Sequence, residues 1–386
     1  MSDDVLQGYR RALEGLLGVP ATEGNAVDVL RNGDEIFPAM LDAIRAATST
    51  VDFATYIYWT GDIAQQFAQA LIERARAGVR VRILLDAVGA HLMNSALVDD
   101  LQSAGCQVEW FRPTTTWKVW ESNHRTHRKV LICDEDVAFT GGVGIAAEWC
   151  GDARNPEEWR DTHVRIHGPA VDGLRAAFVS NWAETDHPLF DEHDRFPEQP
   201  QCGDVTVQVV QSPAQIGWSD LASAFAALIM LAQRRLRITT AYFVPDDRFL
   251  RLLCDAAHRG VEVSVLVPGE HADKRIVQLA GEENYADILD CGIAVHRYQP
   301  TMLHAKILTV DGLVAMVGSG NFDQRSLGIN DEANIVVFDA ATTAVFDAHF
   351  DEDLRRSERV DPEQWARRGP VQRVKEGVTE LFDEQL

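Results

Sequence analysis

Two stretches of this chain carry the same reactive side chains at the same spacing: His127-x-Lys129-x4-Asp134 and His304-x-Lys306-x4-Asp311. Each lies in an apolar, strand-like run, KVLICDEDVAFTGG and KILTVDGLVAMVGSGN. On a β-strand the side chains at i and i+2 share a face, so the His and Lys of each copy project side by side. If the two copies meet, two imidazoles and two ammonium groups line one pocket. Cleaving a phosphodiester without a metal needs a nucleophile, a proton donor for the leaving alcohol, and cations around the non-bridging oxygens. One neutral imidazole can attack phosphorus while its protonated partner serves the leaving oxygen, since histidine titrates near neutrality. Lys129 and Lys306 would hold the phosphate oxygens. Gly141 and Gly142 after the first copy, and Gly318, Ser319 and Asn321 after the second, would let the backbone approach the phosphate and add neutral donors.

The elements around these motifs are repeated too. STVDFATYIYW (49–59) corresponds to RRLRITTAYFVP (234–245), and each reads as a β-branched and aromatic strand. RARAGVRVRILLD (74–86) corresponds to AHRGVEVSVLVPG (257–269): a helix end, a Gly turn and a buried strand. LQSAGCQVEWFRP (101–113) corresponds to LDCGIAVHRYQP (289–300), after which each motif strand follows. Strands alternating with helices imply an α/β fold of two similar domains, each a mixed, largely parallel sheet flanked by helices, with the site at their interface. The expected organisation is an amphipathic helix over 1–18 packed on the first domain, domains over 19–186 and 205–360, a Pro- and charge-rich linker over 187–204, and a tail over 361–386.

The duplicated motif with its glycine-rich sequels resembles the signature of the phospholipase D superfamily. NGDEIFPAMLDAIRAA, TYIYWTGDIA, NHRTHRKVLI, AYFVPD, YQPTMLHAKIL and GSGNFDQRSLGINDE look like bacterial cardiolipin synthases. The resemblance implies transfer of a phosphatidyl group from phosphatidylglycerol through a phosphohistidine, with His127 as nucleophile and His304 as general acid and base. It also implies a carboxylate that fixes the tautomer of each histidine. Glu332 is expected to serve His304, and Asp161 in WRDTHVRI, at the matching repeat position, to serve His127. Asp134 and Asp311 are expected to brace the motifs. One departure stands out: the family's GGxN in the first half is here Gly141-Gly142-Val143-Gly144, so that half lacks the Asn donor.

The bulk properties narrow the field. A chain of 386 residues with 46% hydrophobic and 25% charged residues is ordinary for a folded globular protein. A net charge of −23 is not, and it argues against nucleic acid as a partner. Basic residues are expected only locally, around Arg125, Arg128, Lys129, Lys274, Arg275 and Lys306. The six cysteines show no CxxC spacing and signal neither zinc nor disulfides. His124 and His127 do not share a strand face, and no acidic third ligand is evident for them or for His163 and His167, so no metal is expected, and the scheme requires no organic cofactor. Trp117, Trp120 and Trp149 flank the first motif and are expected to pack in the core or anchor loops rather than line a lipid entrance, and the run Asp351, Glu352 and Asp353 to form a solvated helix face. The N-terminus lacks a signal peptide and no 18-residue apolar run occurs, which together imply a cytoplasmic protein, peripheral at most to the inner face of the membrane. A phospholipid is the expected partner, and no protein partner is signalled. Alternatives within the same motif chemistry are a hydrolase releasing phosphatidic acid, a metal-independent nuclease, and a lipid-binding protein that kept the motif. The motif chemistry predicts that His127→Ala and His304→Ala each abolish phosphodiester cleavage, while EDTA leaves the wild-type rate unchanged in the same assay.

Overall fold

The computed structural model describes residues 2–113, 124–185, 187, 196–212, 219–282 and 284–367. Trp117, Trp120 and the tail beyond 367 lie outside the described residues. Seven strands of the first half are β1 (Thr22–Arg31), β2 (Thr50–Thr55), β3 (Arg80–Asp86), β4 (Gln107–Phe111), β5 (Val130–Cys133), β6 (Val137–Gly141) and β7 (Thr162–His167). Those of the second are β8 (Val205–Ser212), β9 (Arg235–Thr239), β10 (Phe243–Val244), β11 (Glu262–Pro268), β12 (Ala294–Tyr298), β13 (Ile307–Val310), β14 (Val314–Gly318), β15 (Phe322–Asp323), β16 (Glu332–Phe338) and β17 (Ser357–Arg359).

Among the described residues, one sheet of 15 strands runs through both halves, in the order β17-β12-β11-β9-β13-β14-β16-β8-β1-β7-β6-β5-β2-β3-β4. Apart from the edge strand β17, the order reads the same from either end if repeat partners are exchanged. The two halves join where β8 pairs with β1 antiparallel, through Thr22 with Val207 and Asn25 with Val205. The sheet is mixed, as the repeat implies, but its parallel pairs are confined to the flanks, β2-β3-β4 and β9-β11-β12. There the helices Asp62–Arg76 and Asp247–His258 make the crossovers. The strands nearer the seam are antiparallel, because the two motif strands turn straight back as the hairpins β5-β6 and β13-β14. Each hairpin turn carries its motif aspartate at φ 55, a left-handed conformation that Asp tolerates.

Helices cover both faces. On one face the core is separate in each half; on the other, the helix Ala170–Trp182 and Phe346 pack across strands of both halves in a single cluster. The amphipathic helix Ser2–Leu17 packs on the second half, not the first. Tyr9 and Leu13 enter the core formed around the helix Asp220–Leu231, and the Tyr9 hydroxyl lies 2.7 Å from Asp311 Oδ2 and 3.0 Å from the Leu231 carbonyl. The reason is topological. The next element after this helix is the seam strand β1, so the helix emerges between the halves and can descend on either.

Two further expectations are corrected by the packing. Asp353 is buried, not solvated: it pairs with Arg160 at 3.0 Å and Arg31 at 2.9 Å, tying a second-half helix to the first half. Cys254 and Cys291 form a disulfide with Cα atoms 5.3 Å apart, because the crossover helices of the second half lie side by side although the cysteines are 37 residues apart in sequence. Cys106 and Cys133 are buried free thiols. No helix among the described residues is long and apolar enough to cross a membrane.

The Tyr9 contact predicts a measurable coupling. Tyr9→Phe removes a buried donor from Asp311 and should destabilise the protein by about 1–2 kcal/mol, seen as a lower thermal unfolding temperature, with the lipid assay showing no change in rate at temperatures below unfolding.

Candidate active site

The residues just before each motif strand leave their own half and pair with the other. Thr126 forms a parallel bridge with Asp331, and Leu303 with Arg160. The His127 amide donates to the Asp331 carbonyl at 2.9 Å, and the His304 amide to the Arg160 carbonyl at 2.7 Å. Since Glu332 follows Asp331 and Asp161 follows Arg160, the carboxylates are delivered crosswise. His127 Nδ1 lies 3.0 and 3.1 Å from the two Glu332 oxygens, and His304 Nδ1 lies 2.8 Å from Asp161 Oδ2. This reverses the expected pairing. Repeat alignment identifies which residues correspond between halves, but it cannot show that strand ends exchange across the seam.

A carboxylate only accepts, so each Nδ1 carries a proton and each Nε2 of a neutral ring keeps its lone pair. Burial pushes His127 down to about 4 against the pull of Glu332, and His304 to about 3 with Lys306 adding to the effect. Burial would raise both carboxyls. Lys306, His304 and the Thr162 amide hold Asp161 below its usual value, and His127, Lys129 and Ser319 do the same for Glu332. The lysines are buried as well, and each donates to the carbonyl of its own motif histidine. Lys306 Nζ is also 2.7 Å from His304 Nδ1, where it presses on the ring as a like charge. Burial lowers Lys129 to about 7, with Lys306 beside it, and lowers Lys306 to about 8. A phosphodiester anion held by these groups would offset the burial that lowers them.

The glycines serve the carboxylates. A Cβ on Gly142 would stand 2.2 Å from Asp161 Oδ1, and one on Gly318 would stand 2.3 Å from the Ala333 carbonyl. Gly141, with φ 156, abuts His163 in the same way. The amides of Gly142 and Ser319 donate to Thr162 and Ala333 carbonyls, so they are engaged by the carboxylate strands β7 and β16 and do not project toward a ligand. Ser319 donates its hydroxyl to Glu332 Oε2 and accepts from the Ala333 amide. Asn321 is buried and its Oδ1 finds no partner among the described residues.

Asp134 accepts from the amides of Thr48, Ser49 and Thr50 and Asp311 from those of Gln233, Arg234 and Arg235, so both tie down the start of a neighbouring strand, β2 or β9. Arg125 and Arg128 are not part of an exposed basic patch. Both are buried, Arg125 on Asp86 and Arg128 on the Glu332 and Ala177 carbonyls, where they steady the approach to His127.

Sequence reasoning named Trp149 and His163 without placing them beside the histidines, and missed Tyr56 and Trp159. Tyr56 meets the His127 ring edge-on at 5.0 Å, and Trp149 and Trp159 enclose His304 at 5.1 and 5.5 Å. His163 is buried beside Gly141, and burial holds it neutral, down to about 4. Its signal was available: His163 is two residues beyond Asp161, at the start of the strand that Asp161 immediately precedes.

The lowered lysines predict how an anion binds. The bound anion raises both ammonium pKa values, so protons are taken up on binding once the pH exceeds about 7, and most strongly above about 8, where both lysines are otherwise neutral. Affinity for tungstate, a phosphate mimic, should fall as pH rises through this range, and Lys129→Met should weaken binding and flatten the dependence. Calorimetry in buffers of different ionisation enthalpy measures both the affinity and the proton count.

Comparison with known proteins agrees with this geometry. A family model described as "Cardiolipin synthase, PLD-like domain" matches residues 40–157 and 225–354, one stretch in each half. The chain is 32% identical over 366 residues to the major cardiolipin synthase ClsA of Bacillus subtilis, covering 94% of this chain and 75% of that protein. It is 33% identical over 358 residues to the probable cardiolipin synthase YwiE of the same organism, covering 92% and 71%. The fold is similar to that of phosphatidylserine synthase from Haemophilus influenzae Rd KW20, with a TM-score of 0.69 over 98% of both chains at 14% identity. Polyphosphate kinase from Porphyromonas gingivalis also shares it, with a TM-score of 0.59 over 87% of this chain and 49% of that one. With two motif-bearing halves closing on one pair of histidines, this chain belongs to the phospholipase D-like cardiolipin synthase family.

Proposed function

We propose that the protein is a phosphatidyltransferase that makes cardiolipin from two molecules of phosphatidylglycerol. The observation that carries this reading is the crossed pair of imidazole–carboxylate hydrogen bonds, which leaves two Nε2 atoms and two buried lysines for one phosphodiester. In the first step His127 Nε2 attacks phosphorus and the bond to the glycerol oxygen breaks. His304 gives its Nε2 proton to that oxygen, and glycerol leaves. In the second step the primary hydroxyl of another phosphatidylglycerol loses its proton to His304 while its oxygen attacks phosphorus. The P–N bond breaks and neutral His127 is restored. Lys129 and Lys306 neutralise the charge that builds on the non-bridging oxygens. The incoming anion also raises the imidazole of His304, which is how a group held so low by burial becomes the acid.

Purified protein incubated with phosphatidylglycerol vesicles in EDTA, with products read by mass spectrometry, tests the reading. Cardiolipin and glycerol are expected; phosphatidic acid alone would make the enzyme a hydrolase, and unchanged lipid would overturn the proposal. The crossed pairing adds a second prediction. Glu332→Gln should behave like loss of His127 and form no covalent intermediate. Asp161→Asn should behave like loss of His304, so with a 4-nitrophenyl leaving group that needs no acid it should still form the intermediate, then accumulate it. Each change should slow turnover by about 10²–10⁴-fold, measured by stopped-flow release and trapping of the labelled enzyme.

A further inference from the structure

The two halves meet one requirement with different atoms. In the second half the Ser319 hydroxyl donates to Glu332 Oε2, which His127 Nδ1 also meets at 3.1 Å, while Oε1, 3.0 Å from Nδ1, takes no other hydrogen bond among the described residues. In the first half the position of Ser319 is taken by Gly142, which has no side chain to donate. The donor there is Trp149, whose Nε1 lies 2.8 Å from Asp161 Oδ2, the same oxygen that His304 Nδ1 reaches at 2.8 Å. The other oxygen, Oδ1, accepts from the Thr162 amide at 2.7 Å. The departure at Gly144 belongs to the same arrangement. A Cβ there would stand 2.8 Å from Ile57 Cβ and 3.2 Å from Trp149 Cζ3, so Gly144 leaves the indole room where Asn321 stands in the other half. Trp149 is only 1% exposed, and Trp159 packs edge-on against it at 4.5 Å.

The geometry points to Trp149 as a positioning residue that, together with Lys306 Nζ at 2.7 Å from His304 Nδ1, makes the two histidines unequal. Its N–H draws on the Asp161 oxygen that also orients His304, so His304 is the better proton donor and His127, on the less heavily hydrogen-bonded Glu332, is the better nucleophile. A carboxylate oxygen shared between two donors stabilises an imidazolium less than one that serves the imidazole alone. This inference rests on the phosphatidyl-transfer reading for the roles of the two rings, but not for the hydrogen bond itself.

The test is the pH dependence of kcat for wild type, Trp149→Phe and Ser319→Ala. Trp149→Phe removes the N–H, concentrates the Asp161 charge on His304 and should move the alkaline limb up by about half to one pH unit, with the acid limb in place. Ser319→Ala acts on His127, which must be neutral to attack, and should move the acid limb up instead. A Trp149→Phe protein that loses rate with both limbs unmoved, or that moves the acid limb, overturns the proposal. Phenylalanine also changes ring volume, so a protein with Trp149 replaced by benzothienylalanine, similar in shape but lacking the N–H, must reproduce the shift. A wild-type profile in that protein would equally sink the idea. Nitrogen-15 NMR titration of His304 in tungstate separates this inference from the proposed function. If wild type makes no cardiolipin, the function falls, yet an upward shift of His304 in Trp149→Phe still upholds the role of Trp149 and an unchanged titration refutes it.

Discussion

The hydrogen bonds from His127 to Glu332 and from His304 to Asp161 exist only while the β1-β8 seam is closed, because each joins a motif of one half to a carboxylate of the other. Neither half carries a complete pair. The constraint reaches outward from there. A buried carboxylate without donors is costly, so each is surrounded by groups that hold its charge: Ser319 and His127 on Glu332, and Trp149, Thr162 and His304 on Asp161. The ion pairs from Asp353 to Arg160 and Arg31 secure the seam beside Asp161, since Arg160 is the residue whose carbonyl receives the His304 amide.

Conformational freedom is removed around the histidines by the same means in both halves. Each motif aspartate sits in a left-handed turn and gathers three successive amides at the start of a neighbouring strand. That fixes the hairpin, the hairpin fixes the strand, and the strand fixes the segment just ahead of it that carries the His and Lys. The glycines after each hairpin then allow the carboxylate strand to lie against the backbone with no side chain between. What looks in the sequence like a loop shaped for phosphate is, in the fold, first a surface shaped for Asp161 and Glu332.

Charge explains why an acidic protein can hold a cationic pocket. The lysines and Arg128 are buried just ahead of the motif strands, where their neighbours are backbone carbonyls and two carboxylates, so the site's charge is local and the surface remains acidic. Burial holds both imidazoles neutral and lowers both lysines.

The sequence by itself determined the duplicated motif, the strands that carry it, the repeat of β-α-β flanks and the structural part of Asp134 and Asp311. These follow from period-two patterning and from spacing within a single element, which are local properties of the chain. It also marked Asp161 and Glu332 as carboxylates of the site. Which histidine each one serves was decided by tertiary structure, because strand ends that exchange across a seam leave no trace in spacing. The same holds for the docking of the Ser2–Leu17 helix on the second half, the burial of Asp353, the pairing of Cys254 with Cys291, and the arrival of the Trp149 N–H at Asp161 where Gly142 has none to offer. All are contacts between elements distant in the chain, and only the packing of those elements brings the atoms within reach.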